Sequence, residues 1–334
     1  MARKTKTLVT GAAGFIGAHV TRMLLEEGRS IRALIRPGEA LTNLEGLDGD
    51  LETMTGDVRD PAAMAKAVDG CDRVFHLAAI YAMWMRDRTR IWDVNVRGTQ
   101  VMCQAALDAG VKRFVYTSSI AAIGSLPGEQ PSNEDTPYNY WTANEYIFSK
   151  YVSELECREF IRRGLPAVIV NPALPFGWGD TGPTPTGNIV LSLMNGKFPG
   201  YIEGGVNVVD VQDVARGHLL AEKKGKVGER YILGAHNVNT YDFMSLVGRV
   251  CQVKVPQRKL PTNVMLRLGA LLEGVADRIT HTEPFLTRGG IEYASRYVYF
   301  DTTKAREELG LPQTPIEESI ARSAEWFRSR GLAK

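Results

Sequence analysis

Three glycines spaced three apart, Gly11-Ala-Ala-Gly14-Phe-Ile-Gly17, stand directly behind a short apolar run and directly ahead of an amphipathic stretch. Strand, glycine turn and helix is the order in which a backbone can receive a pyrophosphate. Glycine allows a sharp turn and a close approach to phosphate oxygens, while the helix start presents unpaired N–H groups and the positive end of its dipole. The spacing is Gly-x-x-Gly-x-x-Gly, unlike the Gly-x-Gly-x-x-Gly of common dehydrogenases. Gly11, Gly14, Phe15, Ile16 and Gly17 therefore head the residues expected to hold a dinucleotide.

The rest of the first half repeats the same alternation. Apolar runs at 7–10, 30–35, 51–55, 73–77 and 113–117 read as strands, with helical patterns at 15–27, 61–68 and 90–109 between several of them. A long helix is expected over 141–163, followed by a buried strand at 167–170. Strands alternating with helices imply an α/β fold of Rossmann type, a doubly wound parallel sheet covered on both faces. After Pro172 the chain turns rich in Pro, Gly and Thr as far as Gly187, as an ordered functional loop would be. Residues 1–172 are expected to form the dinucleotide-binding domain, with sheet-completing segments near 205–235. Residues 173–204 and 236–334 are expected to form a smaller, mostly helical substrate lobe.

Composition narrows the class. A net charge of +2 over 334 residues, with scattered basic side chains, gives no reason to expect nucleic acid. Cys71, Cys103, Cys157 and Cys251 lie far apart, which fits reduced thiols better than a disulfide or zinc framework. The basic start Met-Ala-Arg-Lys-Thr-Lys is followed by too short an apolar run for a signal peptide, and no run approaches a membrane span. A cytoplasmic protein is expected.

The strand ends point to cofactor and chemistry. The second strand closes Ile35-Arg36-Pro37 with no acidic residue at its tip, so Arg36 favours the 2′-phosphate of NADP, with NAD the alternative that nearby Glu39 keeps open. Asp57, followed by Val58, serves equally as an acceptor for the adenine amino group or as a turn former. His76-Leu77-Ala78-Ala79 closes the fourth strand with small side chains that leave room for the cofactor, His76 itself being packed. Strand five ends Thr117-Ser118-Ser119, where Ser119 can donate to a substrate oxygen and Ser118 is structural. Tyr146 and Lys150, four apart on one helix face, supply the proton: an ammonium beside a phenol is expected to lower its pKa, as a general acid/base requires.

These residues carry a resemblance. Thr10–Gly17, Gly56-Asp-Val58, His76–Ala79, Asn95-Val-Arg-Gly-Thr99, Tyr116–Ser119, Tyr146-Ile-Phe-Ser-Lys150 and Asn171-Pro172 make the chain similar to an extended short-chain dehydrogenase/reductase over essentially its whole length. Arg36-Pro37, Tyr81-Ala-Met-Trp84, Pro183–Gly187 and Gly228–Gly234 resemble the dihydroflavonol-reductase-like branch and the hopanoid-associated sugar epimerases within it. The resemblance implies that Ser119 polarises the substrate oxygen, that Tyr146 is the acid/base, and that Lys150 lowers its pKa and holds the nicotinamide ribose. It implies further that Asn95 braces the neighbouring helix, that Thr117, Pro172 and Leu174 line the cofactor's nicotinamide end, and that two chains pair through the long helices near 91–109 and 141–163.

The substrate side is expected to be apolar. Tyr81 and Trp84 after the fourth strand, with Phe176 and Trp178 after the sixth, would form an aromatic wall for a hydrophobic ring system. Nucleotide-sugar enzymes grip a pyrophosphate with Arg before the Val-x-Asp-Val motif, yet the stretch before Val211-Gln-Asp213-Val214 reads Gly204-Gly-Val-Asn-Val-Val-Asp with no cation. The leading expectation is an NADP(H)-dependent carbonyl reductase or alcohol dehydrogenase acting on an isoprenoid, sterol-like or flavonoid-like substrate. A sugar epimerase that recycles its cofactor, and a dinucleotide sensor without turnover, are the alternatives. Apolar residues 264–272 read as a core helix, with pocket cover or peripheral membrane contact as the other uses.

Overall fold

Seven parallel strands form the central sheet, and the chain's alternation builds it in order. The computed structural model describes residues 6–141 and 144–333, so the basic start at 1–5 and the opening turn expected at 142–143 lie outside the described residues. Strand β1 (Lys6–Thr10) leads through the glycine turn into α1 (Phe15–Glu26), then β2 (Ser30–Ile35) and β3 (Leu51–Thr55). Helix α2 (Pro61–Val68) starts with proline at its first position and with the Asp60 carboxylate accepting from the Ala62 and Ala63 amides, both favourable at a helix start. Strand β4 (Cys71–His76) follows, two residues earlier than the sequence suggests.

The expected helix over 90–109 is three pieces: α3 (Thr89–Trp92), a π turn (Asp93–Arg97) and α4 (Gly98–Asp108). Such turns recur at functional sites, and this one carries Asn95. Then come β5 (Arg113–Thr117), α5 (Glu145–Arg162), β6 (Ala167–Pro172) and β7 (Leu174–Phe176). The second half adds α6 (Pro185–Met194), β8 (Gly205–Asp210), α7 (Val211–Lys224), β9 (Arg230–Leu233) and β10 (His236–Asn239). It ends with α8 (Thr240–Cys251), α9 (Thr262–Val275), α10 (Arg288–Ala294), β11 (Tyr297–Val298) and α11 (Ile316–Ser329).

The strand order is β3-β2-β1-β4-β5-β6-β9, so the chain moves outward from β1 on one side and resumes at β4 on the other. That reversal opens a crevice at the carboxyl ends of β1 and β4, the place where ligands of such sheets bind. Register keeps the tips level, with Thr10 beside His76 and His76 beside Tyr116. Only β9 of the 205–235 segment joins this sheet. Strand β8 instead pairs with β7, β10 and β11 in a small second sheet, because its partners fold back from either side of it.

Two apolar layers cover the main sheet. Val20, Leu24, Val214 and Leu219 fill one face, Met64, Met102, Cys157 and Phe160 the other. A third cluster, with Phe176, Val190, Phe243 and Phe327, holds the second sheet to α6, α8 and α11. All four cysteines are buried and unpaired. Among the described residues no helix is long and apolar enough to cross a membrane.

Candidate active site

The glycine turn meets the requirements of a pyrophosphate cradle. Gly11 has φ +67°, and a Cβ there would lie 2.8 Å from the Ala78 nitrogen. A Cβ on Gly17 would lie 2.0 Å from the Gly11 carbonyl oxygen, so α1 packs directly on the turn. Gly14 caps α1 with no side chain over the first-turn amides, which leaves them and the helix dipole for an anion. The opposite wall is tied in place: the Thr10 hydroxyl accepts from the Ala78 amide at 3.2 Å and meets His76 Nδ1 at 2.7 Å. Burial lowers the His76 pKa to about 3, which makes it a neutral packed group and not a proton donor. Leu77, Ala78 and Ala79 form the loop against this turn.

At the adenosine end the geometry adds a residue that sequence reading missed. Asp57 is held by Arg59, whose guanidinium reaches it at 2.6 Å and whose amide donates at 2.9 Å, keeping that carboxyl below its ordinary range. Arg36 lies within electrostatic range of the same carboxylate. The carboxylate of Glu39 accepts from the Arg36 backbone amide at 3.0 Å, which holds it at the strand tip beside Arg36. Val58 is buried against Gly98 at the start of α4. The adenine role expected for Asp57 therefore competes with its tie to Arg59.

The chemistry-bearing groups converge at the tips of β5 and α5. The Asn144 side chain accepts from the Ile147 amide and starts α5 there, which fixes the rotation that turns Tyr146 and Lys150 inward. Lys150 Nζ donates to the Thr117 carbonyl at 2.8 Å. Tyr146 lies close to Ser119, whose hydroxyl opposes the rise in the phenol's pKa. Asn95 links the site's flanks: its amide group exchanges bonds with the Ile80 backbone at 2.7 and 3.1 Å and donates to Ser149 Oγ on α5 at 3.0 Å. Ser118 is structural, donating to the buried Glu154 at 2.7 Å. Glu154 also accepts from Asn171 at 2.8 Å, which sets the β6 tip that carries Pro172. The Thr117 hydroxyl pairs with His218 Nε2 at 2.9 Å, so its carbonyl, not its side chain, faces Lys150.

The expected lowering of the Tyr146 pKa is corrected by this geometry. Burial pushes the phenol well above its ordinary value, the neighbouring Tyr81 adds to that, and the Ser119 hydroxyl opposes it. The Lys150 ammonium is directed at a carbonyl, and burial lowers its pKa to about 8 while the Glu154 carboxylate opposes. Sequence reasoning counted the ammonium and omitted desolvation, which dominates here. Tyr146 is thus a buried phenol whose pKa is raised and not lowered.

The aromatic wall is also different from expectation. Phe176 is 1% exposed and packs on Phe243 at 5.2 Å in the third core. Trp178 lies against His19 on α1 at 4.4 Å, and Trp84 is buried with its indole N–H on Asp277 at 2.9 Å. Leu174 pairs with β8 opposite Val208. Of the four expected aromatics, Tyr81 alone meets Tyr146, with ring centroids 4.7 Å apart and its hydroxyl 3.1 Å from Thr186 Oγ1. Tyr293 on α10 comes instead, within electrostatic range of Tyr81, Tyr140 and Tyr146 and 5.6 Å from the Tyr140 ring. Arg296 lies over Tyr140 at 4.7 Å and pairs with Glu292 at 3.6 Å. No local motif announces Tyr293, which arrives from the far end of the chain.

A parallel doubly wound sheet with a phosphate-type glycine turn at its switch point and Ser119, Tyr146 and Lys150 beside it defines an NAD(P)-dependent oxidoreductase. The description of the NAD dependent epimerase/dehydratase family matches residues 7–234, and the chain belongs to that family. It is 36% identical to a putative dihydroflavonol 4-reductase of Synechocystis, across 98% of this chain and 95% of that one. It is 32% identical to sterol demethylase protein B of Methylococcus capsulatus, across 98% and 99%. The crystal structure of gox2253 superposes with a TM-score of 0.88 at 39% identity, covering 99% of this chain and all of that one.

Proposed function

We propose that the protein is an NADPH-dependent carbonyl reductase acting on a hydrophobic, ring-bearing ketone. The observation that carries this reading is the setting of Tyr146: a buried phenol on the α5 face it shares with Lys150, with the Tyr81 ring 4.7 Å away and Tyr293 packed against the same cluster. Ser119 would donate to the carbonyl oxygen, and Tyr146 would pass its proton to that oxygen as it gains charge. The Lys150 ammonium would stabilise the negative charge left on the phenolate once its proton has passed to the substrate oxygen. When bound, the reduced nicotinamide supplies the hydride. Gly11, Gly14 and Gly17 would hold its pyrophosphate, and Arg36 the 2′-phosphate.

The same surroundings speak against a nucleotide sugar. Strand β8, where a pyrophosphate-gripping Arg would stand, carries none, and Arg296 is engaged by Tyr140 and Glu292. The names of the reductase and sterol demethylase relatives support a ring-bearing substrate. Pairing of two chains through the outer faces of α4 and α5, where Leu155 is exposed, belongs to the same proposal. A reducing compartment suits the four free thiols.

The test is net consumption of NADPH, followed by nicotinamide absorbance, against a panel of cyclic ketones and nucleotide sugars. Stoichiometric oxidation with a cyclic ketone supports the proposal. Conversion of a nucleotide sugar with no change in NADPH would replace it with an epimerase.

A further inference from the structure

The outer face of the C-terminal lobe carries apolar side chains that the described residues leave uncovered. Five of the thirteen large hydrophobic residues exposed among the described residues fall between positions 264 and 285. They are Val264 (58% exposed), Leu268 (40%), Leu271 (64%), Ile279 (72%) and Phe285 (57%). Scattered single exposures are ordinary, whereas such a concentration marks an interaction surface. Val264, Leu268 and Leu271 follow helical spacing and make one stripe along α9. Only Met265 and Gly269 of α9 are buried, Gly269 lying against Ile291 and Thr287 of the neighbouring lobe segment. The core helix expected over 264–272 is therefore apolar on two sides, with Met265 and Gly269 against the lobe and Val264, Leu268 and Leu271 outward.

Charge on this face selects the partner. Arg267, Arg278 and Arg288 stand among the apolar residues. The loop bearing Arg86, with Arg90 on α3 just beyond it, is fastened to the same face, because Trp84 and Arg88 both donate to Asp277. None of these five arginines forms an ion pair among the described residues; the carboxylates of the same segments are Asp87, Glu273, Asp277 and Glu283, and Arg88 is paired with Asp277 and Glu145. The excess is positive. Exposed apolar side chains ringed by arginine suit the boundary between headgroup phosphates and acyl chains.

The inner side of this lobe lies on the active site. Gly289 sits close enough to Asn144, the cap of α5, that an added Cβ would be 3.2 Å from it, and Tyr293 stands beside Tyr146. We infer that the α9 face docks on an anionic lipid bilayer and lets a membrane-dissolved ketone reach Tyr146 without crossing water. This rests on, and narrows, the hydrophobic-substrate reading: the substrate class becomes a bilayer-resident one.

The test is sedimentation of the full chain with vesicles of equal parts phosphatidylcholine and phosphatidylglycerol, against vesicles of phosphatidylcholine alone. The wild type is expected to sediment with the anionic vesicles and about tenfold less with the neutral ones. A Leu271→Glu/Ile279→Glu double variant, changed only at exposed positions, is expected to lose binding about tenfold or more while remaining folded by circular dichroism. The proposal is overturned if the wild type stays in the supernatant with anionic vesicles, or if the double variant sediments equally well. It is also overturned if the variant changes only the oligomeric mass in light scattering, which would assign the ridge to a second copy of the chain. Oxidation of NADPH by a water-soluble ketone in vesicle-free buffer is read separately. Its absence alongside intact vesicle binding would sink the reductase reading and leave the docking surface standing.

Discussion

The cofactor edge of the sheet and the roof over Tyr146 are built in opposite ways. The edge is assembled from short local motifs: the turn from Gly11 to Gly17, the β4 tip with His76, and the α5 face with Tyr146 and Lys150. Its side chains are buried, and their hydrogen bonds run between neighbouring strand tips. The roof is assembled from distant pieces, with Tyr81 from the β4 loop, Tyr293 from α10 and Thr186 from α6, and its outer surface is exposed and apolar. A backbone cradle for a fixed cofactor tolerates little variation, whereas a roof made of side chains from separate segments can change with the substrate. On the proposed reading, chemistry belongs to the first region and selectivity to the second.

The sharpest way to break that division is Phe176→Ala set beside Tyr81→Ala. Phe176 fills the third core, so its loss is expected to destabilise the fold by about 3–5 kcal/mol in urea unfolding while leaving the ketone preference unaltered. Tyr81→Ala should show the reverse, a changed KM pattern across ketones with a small stability loss. A shift of substrate preference in the Phe176 variant would restore the aromatic wall that the structure removes. Next comes Tyr146→Phe, expected to lower kcat about a thousandfold with NADPH affinity within about twofold of wild type. Wild-type turnover in that variant would remove the phenol from the mechanism.

Arg36→Ala probes the other end of the edge. NADPH affinity is expected to fall about tenfold to a hundredfold while NADH affinity holds, measured by fluorescence titration. An equal loss for both cofactors would show Arg36 to be a general support. Acid stability gives a separate check. His76 and His218 have folded pKa values lowered by burial to about 3 and about 4, against an unfolded value of 6.5. The unfolded chain binds protons first as pH falls, so stability present above pH 6.5 is lost progressively toward the folded values. The loss is about 2 kcal/mol per histidine between pH 6.5 and pH 5. Urea midpoints that stay level over that interval would show these rings to be accessible to protons in the native state.

How much could be read in advance follows the same division. The glycine turn, Arg36, Asn95, Ser119, Tyr146 and Lys150 announce themselves because each lies in a short stretch whose spacing has a geometric meaning. The sheet follows from the alternation of apolar periods. Tyr293 and Arg59 carry no such mark: one is brought to the site by the packing of α10, the other is recognisable only once its guanidinium is seen on Asp57. Phe176 was misplaced because a three-residue strand does not reveal which of its faces meets a core and which a ligand. The phenol's pKa is not legible in the sequence for another reason. Spacing shows that a cation is near, but not where its ammonium points or how dry the phenol is.

The most direct test follows deuterium. NADPH labelled at the transferable C4 position is mixed with a cyclic ketone and the enzyme, and the product is examined by mass spectrometry and NMR. One deuterium on the new carbinol carbon, with one NADP formed per alcohol, is the result that a neutral, proton-giving Tyr146 predicts. Label retained on unconsumed cofactor, with a substrate altered only in configuration, would contradict it.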